Sequence, residues 1–575
     1  MNDIGYMLRR SFRFKGLIAA SVLMTALQCA MKMRLPVLMS EAVNIGLQKK
    51  DLYPVLNTGL HMFISCIIMG VSGYLAHVTA DVTGQRTALE LRKEMYRKIS
   101  DLSVSQVSLF GAGSLITRLT TDIDICAMLV HAILFLVIEP VFMMLGGVWL
   151  MWRISSLFGL VFLFFVAAQL SVVVIFIRRT APGFVRVRSS MDAINGGLQN
   201  TFSVFRLIRA SGTQTLESGY FNARSTDFFQ KAYDVQKLIA FFNPLIMLIM
   251  NLSVACVLFI SGWEVSSSRL NIGMLLMAIS YSEQVLMSIM TGGQMYRMIT
   301  ETKPSAHRIR QVLNTVPEMV DLESAVSLTE PFDELRFESV EFEYPETGRV
   351  LKSLNFSIRK GETAAVTGPI GSGKSTMAAL CARLCDVTGG RILLNGRDIR
   401  SVKMEDLHRM VALVEKHPPV VEGSLYENIT FGRRGITAND VQKAAGAAQF
   451  LSYLNSESAS ASAERSLLST GNSLSGGERQ CLAITRAMAG SPGLLVLDEG
   501  TSSLDYETEK QLLSALRKEY PDLAILLITS RIPTARRAER ILILDQGREA
   551  AVGSDRELLA DCEIYRRMCG IYQDV

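Results

Sequence analysis

Three stretches of this chain, His61–Ala80, Ile154–Ile177 and Leu238–Gly262, contain no Asp, Glu, Lys or Arg over at least 20 consecutive residues. A hydrocarbon layer about 30 Å thick is crossed by roughly 20 apolar residues in helix, so each stretch can span a bilayer. Three more are nearly as apolar. Ile125–Trp152 carries Glu139 as its one charge, Gly16–Ser40 carries Lys32 and Arg34, and Leu270–Ile299 carries Glu283 and Arg297. The sequence therefore predicts six spans, at 16–40, 54–80, 125–152, 154–177, 238–262 and 270–299. The first is too long for a cleaved signal peptide, and no small-residue cleavage site follows it.

Basic residues set the expected orientation. Arg9, Arg10, Arg13 and Lys15 precede the first span, Arg86, Arg92, Lys93, Arg97, Lys98 and Arg118 lie in 81–124, and nine more Lys or Arg lie in 178–237. The alternate loops are short and hold few, namely Lys49, Lys50, Arg153 and Arg269. Excess Lys and Arg mark the cytoplasmic side, which places both termini and both long loops inside. Thr87–Ser100 and Val185–Arg206 are rich in helix formers with periodic apolar positions, and predict helices that carry the spans some 30 Å into the cytosol. With the chain opening so close to its first span, no built-in leader peptidase is expected.

From about Leu335 the pattern changes to short β-like runs between helical ones. Arg336–Tyr344, Thr363–Thr367, Leu494–Leu497 and Ala524–Ile528 read as strands of an α/β domain. Ser305–Val316 reads as an amphipathic helix that Pro317 ends. The expected division is a membrane domain over 1–318, a linker over 319–333 and a nucleotide-binding domain over 334–575. A composition of 49% hydrophobic and 20% charged residues fits such a half-membrane, half-cytosolic chain and excludes intrinsic disorder and a purely soluble enzyme. The net charge of +5 is too mild for a nucleic-acid binder. Nine scattered Cys match neither a zinc site nor a disulfide framework, and Cys381 and Cys385, four apart on an expected helix, read as packing residues.

Three motifs in the second half carry chemistry. Gly368-Pro369-Ile370-Gly371-Ser372-Gly373-Lys374-Ser375-Thr376 follows the strand Thr363–Thr367 directly. Its glycines let backbone N–H groups wrap a triphosphate, Lys374 reaches the β and γ phosphates, and Ser375 offers a hydroxyl to Mg²⁺. A helix beginning at Lys374 adds its positive dipole end. About 120 residues later, the apolar strand Leu494–Leu497 ends in Asp498, suited to Mg²⁺, and Glu499, suited to orient or deprotonate water. Between them, Leu474-Ser475-Gly476-Gly477-Glu478-Arg479-Gln480 opens a helix with a serine and two glycines, a second anion-binding helix start. Ser503-Leu504-Asp505 follows the carboxylates.

This set resembles the ATPase domain of ABC transporters: phosphate loop, LSGGQ-like signature, acidic strand and D-loop, in that order. Fused behind six spans, it is similar to exporter-type half-transporters over essentially the whole chain. The resemblance implies ATP and Mg²⁺ as cofactors, and export of a hydrophobic or amphipathic small molecule, lipid or peptide across the cytoplasmic membrane. It implies Tyr344 of Glu341-Phe342-Glu343-Tyr344 as the adenine platform, and Ser375 and Asp498 as Mg²⁺ ligands. It also implies a head-to-tail pair of half-transporters, each ATP lying between one chain's phosphate loop and the other's signature. Short helices near Ser103–Leu109 and Phe202–Arg209 would transmit closure to the membrane.

Three positions depart from that family. Lys416 stands where the family has a glutamine that contacts Mg²⁺ and the attacking water. Ser530 stands where it has a histidine on the γ-phosphate, and no His follows His417. Glu478 replaces the signature's usual glutamine, leaving Ser475, Gly476 and Gly477 intact. Losing one preorganised transition-state donor costs about 10²–10³ in rate. A lysine about 5 Å from Mg²⁺ adds roughly 3 kcal/mol of repulsion per unit charge at an effective dielectric near 20. The chain therefore resembles the degenerate-site subunit of bacterial heterodimeric exporters, which binds ATP and turns it over slowly, although Glu499 is retained. A regulatory or channel-like subunit and a low-activity homodimer are the alternatives.

Within the spans, Lys32 and Arg34 read either as residues snorkelling to the outer surface or as a cationic lining for anionic cargo. His131 and Glu139, about two turns apart, read as a structural polar pair. Met274, Met277, Met287, Met290, Met295 and Met298 read as helix packing or as an adaptable lining.

Overall fold

The computed structural model describes residues 3–49, 52–266, 271–293, 295–322, 324–344, 348–454 and 474–570. Lys50, Arg269, Leu270 and Gln294, which enter the loop and span expectations above, lie outside them. The chain divides into two compact units, one of Met1–Ser100 with Phe110–Thr315, the other of Asp101–Leu109 with Val316–Val575.

The first unit is helical. A short helix α1 (Asp3–Ser11) leads into α2 (Lys15–Lys49) and α3 (Leu52–Ser100); the short α4 (Val104–Phe110) belongs, all but its last residue, to the second unit; α5 covers Ala112–Ile154. Next come α6 (Ser156–Ser203), the short α7 (Phe205–Ser211), α8 (Gln214–Ser266), α9 (Ile272–Gly293) and α10 (Met295–Asn314). Among the described residues six helices are long and apolar enough to cross a membrane. At 1.5 Å per residue the 49 residues of α3 extend about 73 Å, more than twice a hydrocarbon core. The helices expected in the two long loops are thus continuations of the spans. Pro36, Pro182 and Pro244 lie within these helices. Two boundaries differ from expectation. The helix read over Val185–Arg206 breaks at Val204 and restarts as α7, which Gly212 closes at φ +67° in a left-handed C-cap. The helix expected to end at Pro317 stops at Asn314, three residues before the ring would remove a hydrogen bond.

Charges inside the helical unit find partners across helices. His131 and Glu139 do not pair, which corrects the sequence reading. Eight residues of helix separate them by about 12 Å, and each meets a nearer acidic or basic side chain on another helix. His131 Nδ1 lies 2.9 Å from Asp81 on α3, and Glu139 lies 3.0 Å from Lys32 Nζ on α2. Lys32 therefore has an acidic partner on a neighbouring helix. Toward the α10 end, the buried Asp122 accepts two hydrogen bonds from Arg308, while Arg118 donates to the Arg308 carbonyl at 3.1 Å. Met277 and Met290 pack beside a core that includes Met151, Phe158, Phe162, Tyr281 and Val285. Met287 is exposed.

The second unit holds two sheets. One has the order β2-β1-β4-β5, with β1 Glu334–Tyr344, β2 Gly348–Arg359, β4 Gly389–Leu394 and β5 Arg397–Asp398, all antiparallel. The other has the order β10-β9-β3-β8-β7-β6. In it β9 (Arg540–Asp545), β3 (Thr363–Thr367), β8 (Ala524–Ile528), β7 (Leu494–Asp498) and β6 (Val411–Val414) are parallel, and β10 (Arg548–Gly553) closes one edge antiparallel. Every residue of β3 and β8 is buried, as expected of parallel strands covered on both faces. Cys381 ends the helix Lys374–Cys381 fully buried in this core, while Cys385 packs beside the core outside that helix. The start of α4 belongs to this unit. Gln106 Nε2 donates to the Val316 carbonyl at 2.8 Å and Ser103 Oγ to Glu318 at 2.9 Å.

One prediction concerns the Asp122–Arg308 pair. Arg308→Ala leaves a buried carboxylate without its counter-ion, a class of change that costs about 3–5 kcal/mol. Thermal unfolding of the full chain in detergent is expected to show a clear fall in midpoint, with partial recovery on adding Asp122→Asn.

Candidate nucleotide site

Parallel strands deliver the site residues together, because the loops that leave their carboxyl ends open on one edge of the sheet. The phosphate loop follows β3, Lys416 stands two residues past β6, Asp498 ends β7 with Glu499 next, and Ser530 stands two residues past β8. In the order β3-β8-β7-β6 these strands are neighbours. Four distant parts of the sequence thus meet at one edge.

The phosphate loop is shaped by its glycines. Gly371 and Gly373 take φ +81° and +103°, a region L side chains avoid, and a Cβ on Gly368 would collide with the Leu544 carbonyl. Pro369 and Ser372 are joined across the loop, the Ser372 N–H donating to the Pro369 carbonyl at 3.3 Å, and Ile370 stands fully exposed at the tip. Lys374 Nζ folds back onto the carbonyls of Gly368 and Pro369, 2.8 Å from each. Burial pulls the Lys374 ammonium below its ordinary pKa, against the attraction of Glu499 and Asp498. Ser375 Oγ donates to Asp498 Oδ1 at 3.2 Å, while Thr376 is buried beneath the loop. Burial pushes the Asp498 carboxyl up, opposed by the Ser375 hydrogen bond. A loop of glycine-shaped backbone, a lysine and an adjacent hydroxyl–carboxylate pair fit a nucleoside triphosphate with Mg²⁺. Tyr344 ends β1 half-buried, edge-on to Phe342 at 4.7 Å between ring centroids.

The two departures from the family pattern converge on Glu499. Its Oε2 lies 2.7 Å from Lys416 Nζ, and its Oε1 accepts from Ser530 Oγ at 2.8 Å. Lys416 first, then Ser530, holds this carboxyl below the usual glutamate range, with desolvation opposing. The depressed pKa means the pair is intact at neutral pH and is lost only as pH falls through the lowered value. Glu499 itself sits at φ +49°, an uncommon conformation for a non-glycine residue. Its N–H donates to the Ile528 carbonyl at 2.8 Å, which fixes that backbone.

The signature is a formed helix start. Ser475 caps the helix Gly476–Met488 in a reciprocal box with Glu478: the Ser475 N–H donates to Glu478 Oε2 at 2.7 Å and the Glu478 N–H to Ser475 Oγ at 3.2 Å. The Glu-for-Gln change therefore keeps the cap and adds a charge. Leu474 is buried just before it. Gly476 and Gly477 allow Ser503 and Leu504 to pack closely; a Cβ on either would stand 3.2–3.3 Å from those side chains. Asp505 in turn caps the following helix, Tyr506–Glu519.

Sequence reasoning did not single out Gln480 or Arg531. Gln480 is buried. Its Nε2 donates to the carbonyls of Lys416 and Glu499 at 3.3 Å each and to Ser502 Oγ at 3.2 Å, and its Oε1 accepts from the Ser503 N–H at 2.8 Å. One side chain on the signature helix thereby ties together all three neighbouring motifs. Arg531 donates to the Leu504 and Ser502 carbonyls. A polar residue one turn into an otherwise apolar helix face is the one signal that would have marked Gln480.

Comparison with known proteins matches both halves of the chain to one family. Residues 18–289 match the family described as ABC transporter transmembrane region, and residues 351–502 that described as ABC transporter. An ABC transporter ATP-binding protein of Bacillus subtilis, YfiB, is 28% identical over 96% of this chain and 95% of its own length. A Mycobacterium bovis protein named fatty acid ABC transporter ATP-binding/permease protein is 30% identical over 85% of this chain and 77% of its own. The solved structure of a bacterial Atm1-family ABC exporter with ATP bound shares the fold, with a TM-score of 0.81 at 22% identity over 98% of this chain and 99% of that one.

Replacing Gln480 with Ala removes four hydrogen bonds at once and leaves buried backbone groups unpaired, each costing about 1–3 kcal/mol. Hydrogen exchange across 499–505 is expected to accelerate at least tenfold, with the fold of β3 and β8 unchanged. Unaltered exchange there would show that Gln480 is not the tie.

Proposed function

The chain belongs to the ABC transporter family, with an exporter-type half-transporter architecture, and on that premise we propose that it is the slow-site half of a heterodimeric exporter. An ATPase domain coupled to six spans makes it an ATP-binding membrane transporter. Our finer reading is that its own phosphate loop holds ATP while its signature completes a faster site on a partner half-transporter. The single observation that carries this is the Glu499 clamp. Both carboxylate oxygens are already engaged, by Lys416 and Ser530.

In this reading each residue has a definite task. The phosphate loop and Lys374 bind the triphosphate, Ser375 and Asp498 hold Mg²⁺, and Tyr344 supports the base. Mg²⁺, when bound, neutralises charge on the β and γ phosphates. Glu499 should orient and deprotonate water, but a carboxylate with a depressed pKa is a weak base, and each of its oxygens already accepts from another side chain. Lys416 also brings a cation where the family has a neutral amide. Ser475, by contrast, stands at an intact helix N-terminus, able to meet a partner's γ-phosphate. The basic loops argue for cytoplasmic termini and a multi-pass location in the cytoplasmic membrane. The fatty-acid transporter among the relatives supports an amphipathic, lipid-like cargo over a polar solute. The same clamp favours a second reading, a regulatory subunit that uses ATP binding without turnover. Transport by inverted vesicles carrying both halves separates the two.

Two outcomes are expected. The purified chain alone should turn over ATP at no more than about one per second, near the bottom of the usual enzyme range, and gain activity beside a complementary half-transporter. Tens per second from the chain alone would end the proposal. Beside a wild-type partner, Glu499→Gln should cost less than about threefold in steady-state ATPase, whereas Ser475→Arg should abolish transport by blocking the signature helix start. Adding Lys416→Gln and Ser530→His should raise turnover at this chain's own site by up to the 10²–10³ expected of a restored donor. If Glu499→Gln is the more damaging single change, this chain carries the fast site.

A further inference from the structure

The second unit holds a concave site that the nucleotide chemistry above does not use. It is an open cleft of about 720 Å³, within the roughly 300–1,000 Å³ range of small-molecule sites. Thr363 opens β3, Ile525 lies at the start of β8 and Glu539 immediately precedes β9, so the cleft is at the amino ends of these parallel strands. The phosphate loop leaves the opposite end of β3, five residues or about 16 Å away. The two sites are therefore separate.

Four lining side chains are basic, Lys510, Arg517, Lys518 and Arg537, against one acidic, Glu539. Lys510, Leu513, Ser514, Arg517 and Lys518 share one face of the helix Tyr506–Glu519, over about 12 Å of its length. Arg517 answers the acid: its Nη2 lies 2.6 Å from Glu539 Oε1, and its Nη1 donates to the Gly361 carbonyl. Arg537 is held against Tyr506, its guanidinium 4.5 Å from the ring centroid and one nitrogen donating to the Tyr506 carbonyl at 3.3 Å. Its Nε is buried without a hydrogen-bond partner among the described residues. Lys510 and Lys518 are exposed, and neither has an ion pair or hydrogen bond among the described residues. Three cations thus stay uncompensated around one cleft, whose apolar lining comes from the buried Leu513 and Ile525.

A cleft lined by one sign of charge concentrates the opposite sign, and several cations together favour a multiply charged anion over a single carboxylate. Phosphate groups accept charge-assisted hydrogen bonds from ammonium and guanidinium groups alike. We propose that this cleft is a second anion site, taking an oligophosphate of nucleotide size. Lys510, Lys518 and Arg537 receive the phosphates, Ser514 offers its hydroxyl, and Leu513 and Ile525 receive the less polar part of the molecule. Asp505 of the D-loop caps the same helix, so the occupant sits on the element that the D-loop begins. The inference goes beyond the export reading and does not depend on which half-transporter carries the slow site.

The test is calorimetric titration of the full-length chain, in an uncharged detergent with EDTA, by inorganic tripolyphosphate. Every protein carries Lys374→Ala, which weakens the phosphate loop's own hold on the probe. One saturable site per chain is expected to remain. Lys510→Gln with Lys518→Gln should weaken it about tenfold or more, whereas Lys510→Arg with Lys518→Arg should retain most of the affinity. Lys403→Gln with Arg409→Gln removes the same charge from exposed positions outside the cleft, and should change affinity less than about twofold. Hexaglutamate, a polyanion without phosphate, should bind at least about tenfold more weakly than tripolyphosphate. Absence of a saturable site, or one that Lys510→Gln with Lys518→Gln leaves unchanged, would overturn the proposal. So would an equal loss in the control pair, which marks diffuse attraction, or equal binding of hexaglutamate, which marks a surface for an acidic peptide. No readout uses turnover, so a failure here is separable from a failure of the slow-site reading.

Discussion

A carboxylate that activates water needs one oxygen turned toward the attacking water and enough basicity to take its proton. At Glu499 the fold determines both. β6, β7 and β8 lie side by side, so the residues just past their ends are held within contact of one another. Whatever side chains follow β6 and β8 must therefore meet whatever follows β7. With a lysine and a serine in those positions, the outcome is an ion pair at 2.7 Å and a hydrogen bond at 2.8 Å on the same carboxylate. The pair is half-exposed on the Lys416 side, so its contribution to stability is small. Its consequence is chemical, because it occupies one acceptor site on each oxygen and lowers the basicity of the carboxylate.

The parts of this molecule with strict local rules were legible in the sequence. Bilayer thickness sets a length and an apolarity that few other structures demand, and six such stretches were visible without any coordinates. The strands Thr363–Thr367 and Ala524–Ile528 were equally plain, since a strand buried on both faces is a short apolar run between polar turns. The phosphate loop was readable because its glycines are needed for backbone angles. Contacts between distant segments were not. Nothing near Lys416 indicates Glu499 as its neighbour, and an isolated reading placed it against Mg²⁺ instead. Gln480 was passed over because its four hydrogen bonds go to residues 19 to 64 positions away or across the D-loop. His131 and Glu139 failed as a pair for the same reason: helical spacing describes one helix, whereas their counter-ions are on others.

The membrane unit applies the same constraint with a higher penalty. Lipid offers no water to solvate a stray charge, so each ionisable group must be paired, placed at an interface or turned to a wet surface. Lys32 with Glu139 and His131 with Asp81 take the first course. The Asp122–Arg308 pair does so where the helices continue past the apolar spans, joining α10 to the helix that supplies Asp122.

On the slow-site proposal, the signature is the part of the domain that would serve a partner whatever the state of its own catalytic edge. Ser475, Gly476 and Gly477 require only a helix N-terminus and close packing against Ser503 and Leu504, and both are present. Neither depends on what Lys416 does to Glu499. The physical link between the two functions is Gln480, which reaches from the signature helix to the carbonyls of Lys416 and Glu499. That link is mechanical rather than chemical: it holds backbone positions and is indifferent to the side chains those positions carry. A site can therefore change Gln to Lys and His to Ser at its catalytic edge without disturbing the signature helix. Glu478 sits at the boundary between the roles. Its carboxylate reinforces the cap through the Ser475 N–H, yet places a negative charge at the helix end that would receive a phosphate. The cap orients that charge back along the turn, which keeps the N–H groups of the two glycines available.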